Sequence, residues 1–311
     1  METIADIQEI DRVADVGLEP ARSRAALHTR LNDFYELTKP RMNFLVVVTT
    51  MVGYYMAARG AADWARVIYT LVGTALTAAG ASVFNQIIER KFDALMDRTS
   101  DRPIPTGRVK LIEAVPYAMG LSVAGVTILA LFVNPLTALL GALTLLLYVL
   151  VYTPAKRLTS LNTIIGAVPG AIPAMMGFTA VQNTISPEAL SLFAILFFWQ
   201  MPHFLAIAIL YRDDYAKGGF RMLPVVDSRM HMTGRQMVLY SLSLVPVSLM
   251  PALLGMAGVT YFIAALLLGI AFCGFAAVAA RTKTRADARQ LFLASIIYLP
   301  GLLAALMIDK I

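Results

Sequence analysis

Four oxygen-bearing side chains, Asn85, Glu89, Asp93 and Asp97, recur every fourth residue at the end of a long apolar run. On a helix each step of four turns the side chain by about 40°, so neighbouring rungs share one face. Carboxylates held that close repel one another, and a divalent cation between them relieves the repulsion. Hard oxygen donors suit Mg²⁺, which takes one or two carboxylates and completes its shell with phosphate oxygens and water. Arg90, Lys91, Arg98 and Arg102 are interleaved with the acids and offer donors to phosphate oxygens. The pattern predicts a metal–diphosphate site. The plainer alternative is a helix leaving the membrane with a solvated, salt-bridged end. Against it, Asn85 and Glu89 lie where the apolar run has barely ended.

A second cluster follows a later apolar run. It begins Phe197-Phe198-Trp199-Gln200-Met201-Pro202-His203-Phe204 and continues through Tyr211-Arg212-Asp213-Asp214-Tyr215 to Lys217-Gly218-Gly219-Phe220-Arg221 and Pro224. Pro202 removes a backbone hydrogen bond and is expected to kink its helix. His203 is an ionisable group inside an apolar segment, which marks a functional site unless it merely bonds the carbonyl that the proline frees. Gly218-Gly219 and Pro224 read as a loop. Arg212, Lys217 and Arg221 are anion donors, with Asp213 and Asp214 as candidate metal ligands.

Those residues need a scaffold, and composition says which kind. Of 311 residues, 58% are hydrophobic and 15% charged, against roughly 25% charged in a soluble domain. The apolar residues fall in long blocks, so lipid must be the solvent for much of the surface. Blocks of spanning length cover about 42–58, 67–88, 112–132, 135–153, 163–181, 189–210, 237–256, 259–280 and 291–308. Nine spans place 23 of the 26 basic residues on one side, leaving only Arg59, Arg66 and Lys310 on the other. The positive-inside bias then predicts a cytoplasmic N-terminus and an external C-terminus. Both charged clusters fall on the cytoplasmic face, where two acidic-plus-basic lips above an apolar bundle suit an amphiphile with a diphosphate head.

Cys273 is the single cysteine, which excludes disulfide scaffolds and multi-cysteine metal sites. The segment before the first span contains Glu2, Asp6, Glu9, Asp11, Asp15 and Glu19 and fits neither a signal peptide nor a mitochondrial transit peptide. It reads as a partly disordered cytoplasmic arm over residues 1–33, ending in a short helix near the membrane surface. Residues 34–311 read as one transmembrane domain, and a bacterial inner membrane is the expected location.

Asn85, Glu89 and Asp93, followed by Met96, Arg98, Thr99, Arg102 and Pro103, resemble the first acid-rich motif of the UbiA-type membrane prenyltransferases. The second cluster departs from that superfamily's usual Asp-x-x-x-Asp pattern. Trp199-Gln200-x-Pro202-His203-Phe204, Tyr211, Asp214-Tyr215 and Met222-Leu223-Pro224-Val225 are instead similar to its haem-modifying branch, the protohaem IX farnesyltransferases. Thr38-Lys39-Pro40-Arg41, Tyr152-Thr153, Lys156-Arg157, Asn162, Gly166, Ser295 and Tyr298 extend a match that covers residues 34–308.

The resemblance implies an all-α integral membrane bundle of nine helices with a cavity opening toward the cytoplasmic half of the bilayer. It implies farnesyl diphosphate held through Mg²⁺ by Asn85, Glu89 and Asp93, with haem B as the acceptor and haem O as the product. In that reading Glu89, Asp93 and His203 are catalytic, and Asp97, Asp213 and Asp214 are further candidate metal ligands. Arg90, Lys91, Arg98, Arg102, Arg212 and Arg221 bind diphosphate. His203, Trp199, Lys156, Arg157 and Tyr211 hold the haem, with His203 either ligating iron or acting as a base. An enzyme of downstream haem A synthesis is an implied partner, and no nucleic acid is expected. A rival is the same fold with a quinone precursor or a chlorophyllide as acceptor. A transporter is the rival from another class, but it calls for ionisable groups near mid-membrane in both halves of the chain.

Overall fold

The structure, a computed structural model, describes residues 29–60 and 63–311. Residues 29–37 form helix α1, followed by α2 (Pro40–Ala57), α3 (Trp64–Asp93), α4 (Leu111–Phe132) and α5 (Pro135–Leu146). A π-helical turn, Leu147–Tyr152, joins α5 to α6 (Thr153–Leu158). The chain continues as α7 (Asn162–Gln182), α8 (Pro187–Leu210), α9 (Arg212–Lys217), α10 (Leu223–Val226), α11 (His231–Leu253), α12 (Val259–Thr282) and α13 (Arg285–Ile308). Among the described residues the only β pairing is an isolated bridge between Ala257 and Lys310.

Eight of these helical runs are long and apolar enough to cross a membrane: α3, α4, Pro135–Leu158, α7, α8, α11, α12 and α13. This is an all-α integral membrane protein. Helix α2 stands where the first span is expected, but its Pro40-Arg41-Met42-Asn43 start and its Thr49-Thr50 pair keep it less apolar than the others. Helix ends follow local chemistry. Asn134 and Ser186 accept from the third backbone N–H of α5 and α8, each followed by a proline where the helix has no donor to lose. Pro202 lies within α8, which is helical on both sides of it. Two short helices, α9 and α10, interrupt the loop read from Gly218-Gly219 and Pro224. Pro224 sits in the first turn of α10, and Gly219 makes the intervening turn at φ 68°.

The long helices form a closed circuit: α2, α3, α4, α5, α7, α8, α11, α12 and α13 touch in order, and α13 returns to α2. Helix α7 also crosses to α2, and α8 to α13. Lipid gives no hydrophobic drive for helices to associate, so close backbone approach must supply van der Waals contact instead. At Gly177 of α7 an added Cβ would stand 1.9 Å from the Thr50 carbonyl oxygen of α2. That approach makes α7 the most enclosed span, 72% buried, whereas α4 on the rim is 22% buried.

Two features at the charged end position the site. Helix α1 docks through Asp33 to Arg108 (2.9 Å) and through the Leu37 carbonyl, which accepts from Gln86 of α3 (2.7 Å). The boundary expected at 33/34 thus falls inside a docked helix, and residues 1–28 of the arm lie outside the described residues. Helix α3 runs one turn beyond its apolar stretch and stops at Asp93. There the Asp93 carbonyl accepts from the Thr99 hydroxyl (2.8 Å) and the chain turns toward Pro103.

Candidate active site

The stop at Asp93 alters the expected ladder. Asn85, Glu89 and Asp93 are on α3 and buried at 1%, 4% and 1% exposure. Asp97 has left the helix, its side chain is 76% exposed, and it pairs with Lys217 of α9 at 2.6 Å. Each buried rung meets a cation from a different part of the chain. Asn85 Oδ1 accepts from Lys39 Nζ at 2.7 Å, and its Nδ2 donates to Thr153 Oγ1 at 3.2 Å. Asp93 Oδ2 accepts from Arg102 at 2.7 Å. Lys156 Nζ stands 2.9 Å from Glu89 Oε1 and 3.1 Å from Oε2, with hydrogen-bond geometry only toward Oε2.

Glu89 Oε1 and Asp93 Oδ1 therefore remain buried without a hydrogen bond. A carboxylate oxygen removed from water with no donor costs free energy, roughly 1–3 kcal/mol or more for a charged group. Carboxylates one turn apart are donors of the kind a hard divalent cation takes; here Glu89 Oε1 faces the Lys156 ammonium at 2.9 Å and Asn85 Oδ1 faces Lys39. With Lys39 protonated, three cations against two carboxylates leave one net positive charge, which favours an anion. Burial lowers the Lys39 pKa to about 7, helped by Arg102 and Lys156. Lys39 also holds a left-handed backbone, φ 49°, at the start of α2. A non-glycine residue in that region is strained, and such strain gathers at functional sites.

The other expected diphosphate donors are distributed around this core. Arg98 stacks over Tyr211 (4.7 Å) and Tyr215 (5.5 Å), tying the loop after α3 to α9. Arg157 lies over Phe92 at 3.8 Å. The Arg221 N–H donates to the Lys156 carbonyl (2.7 Å), linking a third loop. Arg90 bonds the Ile87 carbonyl of its own helix, and Lys91 is exposed. Asp213 is exposed and pairs with Arg285 at 2.6 Å, while Arg212 and Asp214 are half-buried on α9. The two lips thus meet through the exposed Asp97–Lys217 pair and aromatic stacking, and the rungs of α3 are buried.

His203 is held on α8 by a separate group of residues. Its ring stacks on Trp199, one turn back, at 4.7 Å and 22°, with Phe292 at 5.2 Å and Phe204 at 5.5 Å. Nδ1 lies 2.7 Å from Ser295 Oγ of α13, and Trp199 Nε1 donates to the Ser295 carbonyl at 2.9 Å. The partner of His203 is therefore Ser295, not the carbonyl freed by Pro202.

A profile of the UbiA prenyltransferase family matches residues 46–298. The chain belongs to the UbiA prenyltransferase family. Among UbiA relatives, the Protoheme IX farnesyltransferase of Solibacter usitatus is 43% identical over 289 residues, 90% of this chain and 99% of the relative. A Digeranylgeranylglyceryl phosphate synthase structure superposes with a TM-score of 0.74 at 18% identity, covering 90% of this chain and 98% of that one. A UbiA homologue from Archaeoglobus fulgidus, solved bound to DMAPP and Mg²⁺, gives a TM-score of 0.67 at 16% identity and covers 88% and 99%.

Two polar contacts of this UbiA bundle escaped the ladder reading. Lys39 precedes α2, 46 residues before Asn85, and Thr153 opens α6 directly after the π turn, 68 residues after Asn85. The motif matches at Thr38-Lys39-Pro40 and Tyr152-Thr153 were the available signal. Neither has a spacing that points to α3.

Proposed function

We propose that this protein transfers the farnesyl group of farnesyl diphosphate to the 2-vinyl group of haem B, with addition of water, giving haem O and diphosphate. The observation that carries this reading is the pair of buried carboxylates on one face of α3, Glu89 and Asp93, ringed by Lys39, Lys156 and Arg102. Asn85, Glu89 and Asp93 would hold Mg²⁺, with Asp97, Asp213 and Asp214 kept as outer candidates. Bound there, the ion would offset negative charge on the departing diphosphate. Breaking the allylic C–O bond builds that charge, so preorganised cations stabilise the transition state more than the ground state. Arg102 and Lys156 are held at the carboxylates and would turn toward phosphate oxygens, with Arg90, Lys91, Arg98, Arg212 and Arg221 as further donors in this reading. The apolar bundle keeps water from the allylic cation until the carbon–carbon bond forms.

The acceptor assignment is supported by curated relatives named for haem farnesylation, 43% and 41% identical. It is also supported by the aromatic setting of His203, which we read as the iron ligand. Of the other expected haem residues Trp199 stacks on His203, while Tyr211, Lys156 and Arg157 lie with the charged residues around α3. The basic excess on one face supports an inner-membrane enzyme with its site toward the cytoplasm, and an enzyme of haem A synthesis would consume the product. The test is an in-membrane assay with haem B, farnesyl diphosphate and Mg²⁺, scored for haem O by mass spectrometry. Haem O is expected from the native protein and not from Asp93→Asn. Full activity in that variant overturns the metal assignment, and prenylation of a quinone precursor with haem B untouched overturns the acceptor.

A further inference from the structure

A serine hydroxyl carries one proton, and the contacts of Ser295 reveal where it goes. Ser295 Oγ is in hydrogen-bond contact with the Phe292 carbonyl, one turn back on α13. Two oxygens at that separation repel unless a proton lies between them, so the hydroxyl donates to Phe292. The same oxygen lies 2.7 Å from His203 Nδ1, and having spent its proton it can only accept there. Nδ1 is therefore the protonated nitrogen. In the neutral ring Nε2 then holds the lone pair, and no described residue hydrogen-bonds to it.

Ser295 also fixes the plane of the ring. Its carbonyl accepts from Trp199 Nε1, and the Trp199 indole lies flat against the imidazole. One residue of α13 thus sets the proton of His203 through its side chain and the stacking partner of His203 through its backbone. A histidine that binds metal through one nitrogen characteristically donates its other N–H to a fixed acceptor, which sets tautomer and orientation. Here the acceptor is a hydroxyl that is itself anchored to a helix carbonyl.

We propose that Ser295 is a positioning residue that holds His203 as the Nδ1-protonated tautomer and presents its Nε2 lone pair to the iron of the porphyrin acceptor. The iron half of this rests on the acceptor reading above. The chain has three histidines, so full-length protein carrying ¹⁵N-histidine in lipid nanodiscs gives a resolvable spectrum, with His203→Ala identifying the signal. The ligand-free wild type is expected to show a protonated Nδ1 and an unprotonated Nε2. Ser295→Thr, which keeps the hydroxyl, is expected to preserve both that signature and haem affinity. Ser295→Ala is expected to lose the single tautomer and to bind haem B roughly 10–100-fold more weakly, with its ferric absorption spectrum moved toward that of His203→Ala.

An Nε2-protonated wild type, or a Ser295→Ala protein with unchanged tautomer and haem spectrum, overturns the proposal. If His203→Ala itself leaves the haem spectrum as in wild type, the reading of His203 as iron ligand fails and the proposal falls with it. If His203→Ala alters the spectrum and Ser295→Ala does not, the acceptor reading stands and the role of Ser295 is overturned.

Discussion

One oxygen of Asp93 is taken by Arg102, and the other is buried with nothing to bind. Asp93→Asn keeps the shape, removes the charge, and is expected to lower turnover by roughly 10²-fold or more, the scale of losing one charge-stabilising group. The measurement is initial rate in membranes at saturating Mg²⁺. Lys156 and Lys217 test a different quantity, since both pair with acids of the ladder but in different surroundings. Lys156→Met leaves Glu89 buried without its ion pair, a change that typically costs about 3–5 kcal/mol. Its thermal unfolding midpoint should fall clearly below that of wild type. Lys217→Met removes an exposed partner of an exposed acid, and its midpoint should not move measurably.

The π turn at Leu147–Tyr152 is the local element on which the site depends most. Its extra residue lets Thr153 Oγ1 donate to the Tyr148 carbonyl at 2.8 Å while accepting from Asn85. It also seats Tyr152 against Gly166 of α7, where an added Cβ would stand 2.4 Å from the ring. Gly166→Ala must push Tyr152 aside, and overpacking of this kind costs typically 1–3 kcal/mol. Because Thr153 and Lys156 follow in the same turn and the next, activity is expected to fall by a larger factor than the melting temperature alone explains. Assay of folded protein recovered by size-exclusion chromatography checks this. Elements of this kind mark the limit of what residue order reveals. The spans were legible because lipid demands about 20 apolar residues in a row, and the rungs because four-residue spacing stacks on a helix. A π turn leaves no periodicity of its own, and the end of α3 at Asp93 depends on a Thr99 hydroxyl six residues on. The partners Lys39, Lys156 and Ser295 come from tertiary packing, which one-dimensional spacing does not encode.

At the scale of the whole molecule, many large apolar side chains lie on the outer surface. Val123, near the middle of α4, is 63% exposed and faces lipid in this reading. Val123→Arg is expected to cost about 2.5–3.5 kcal/mol of insertion free energy and to reduce the membrane-inserted yield, measured by carbonate extraction. Orientation has its own test in a Cys273→Ser background. A membrane-impermeant maleimide should label Asp214→Cys only in inside-out vesicles and Asn183→Cys only in right-side-out ones. The opposite pattern would invert the topology inferred from the basic residues.

The cations of the ladder also impose an order on biogenesis. Lys39 emerges before Asn85, but Lys156 is synthesised 67 residues after Glu89. At roughly 5–20 residues per second Glu89 waits on the order of several seconds for its counter-charge. Until then a charged Glu89 is costly to bury without its ion pair, so the last turns of α3 are expected to stay hydrated. A chain cut before the Lys156 segment is therefore expected to leave Glu89 open to water, and a chain that includes the segment to bury it.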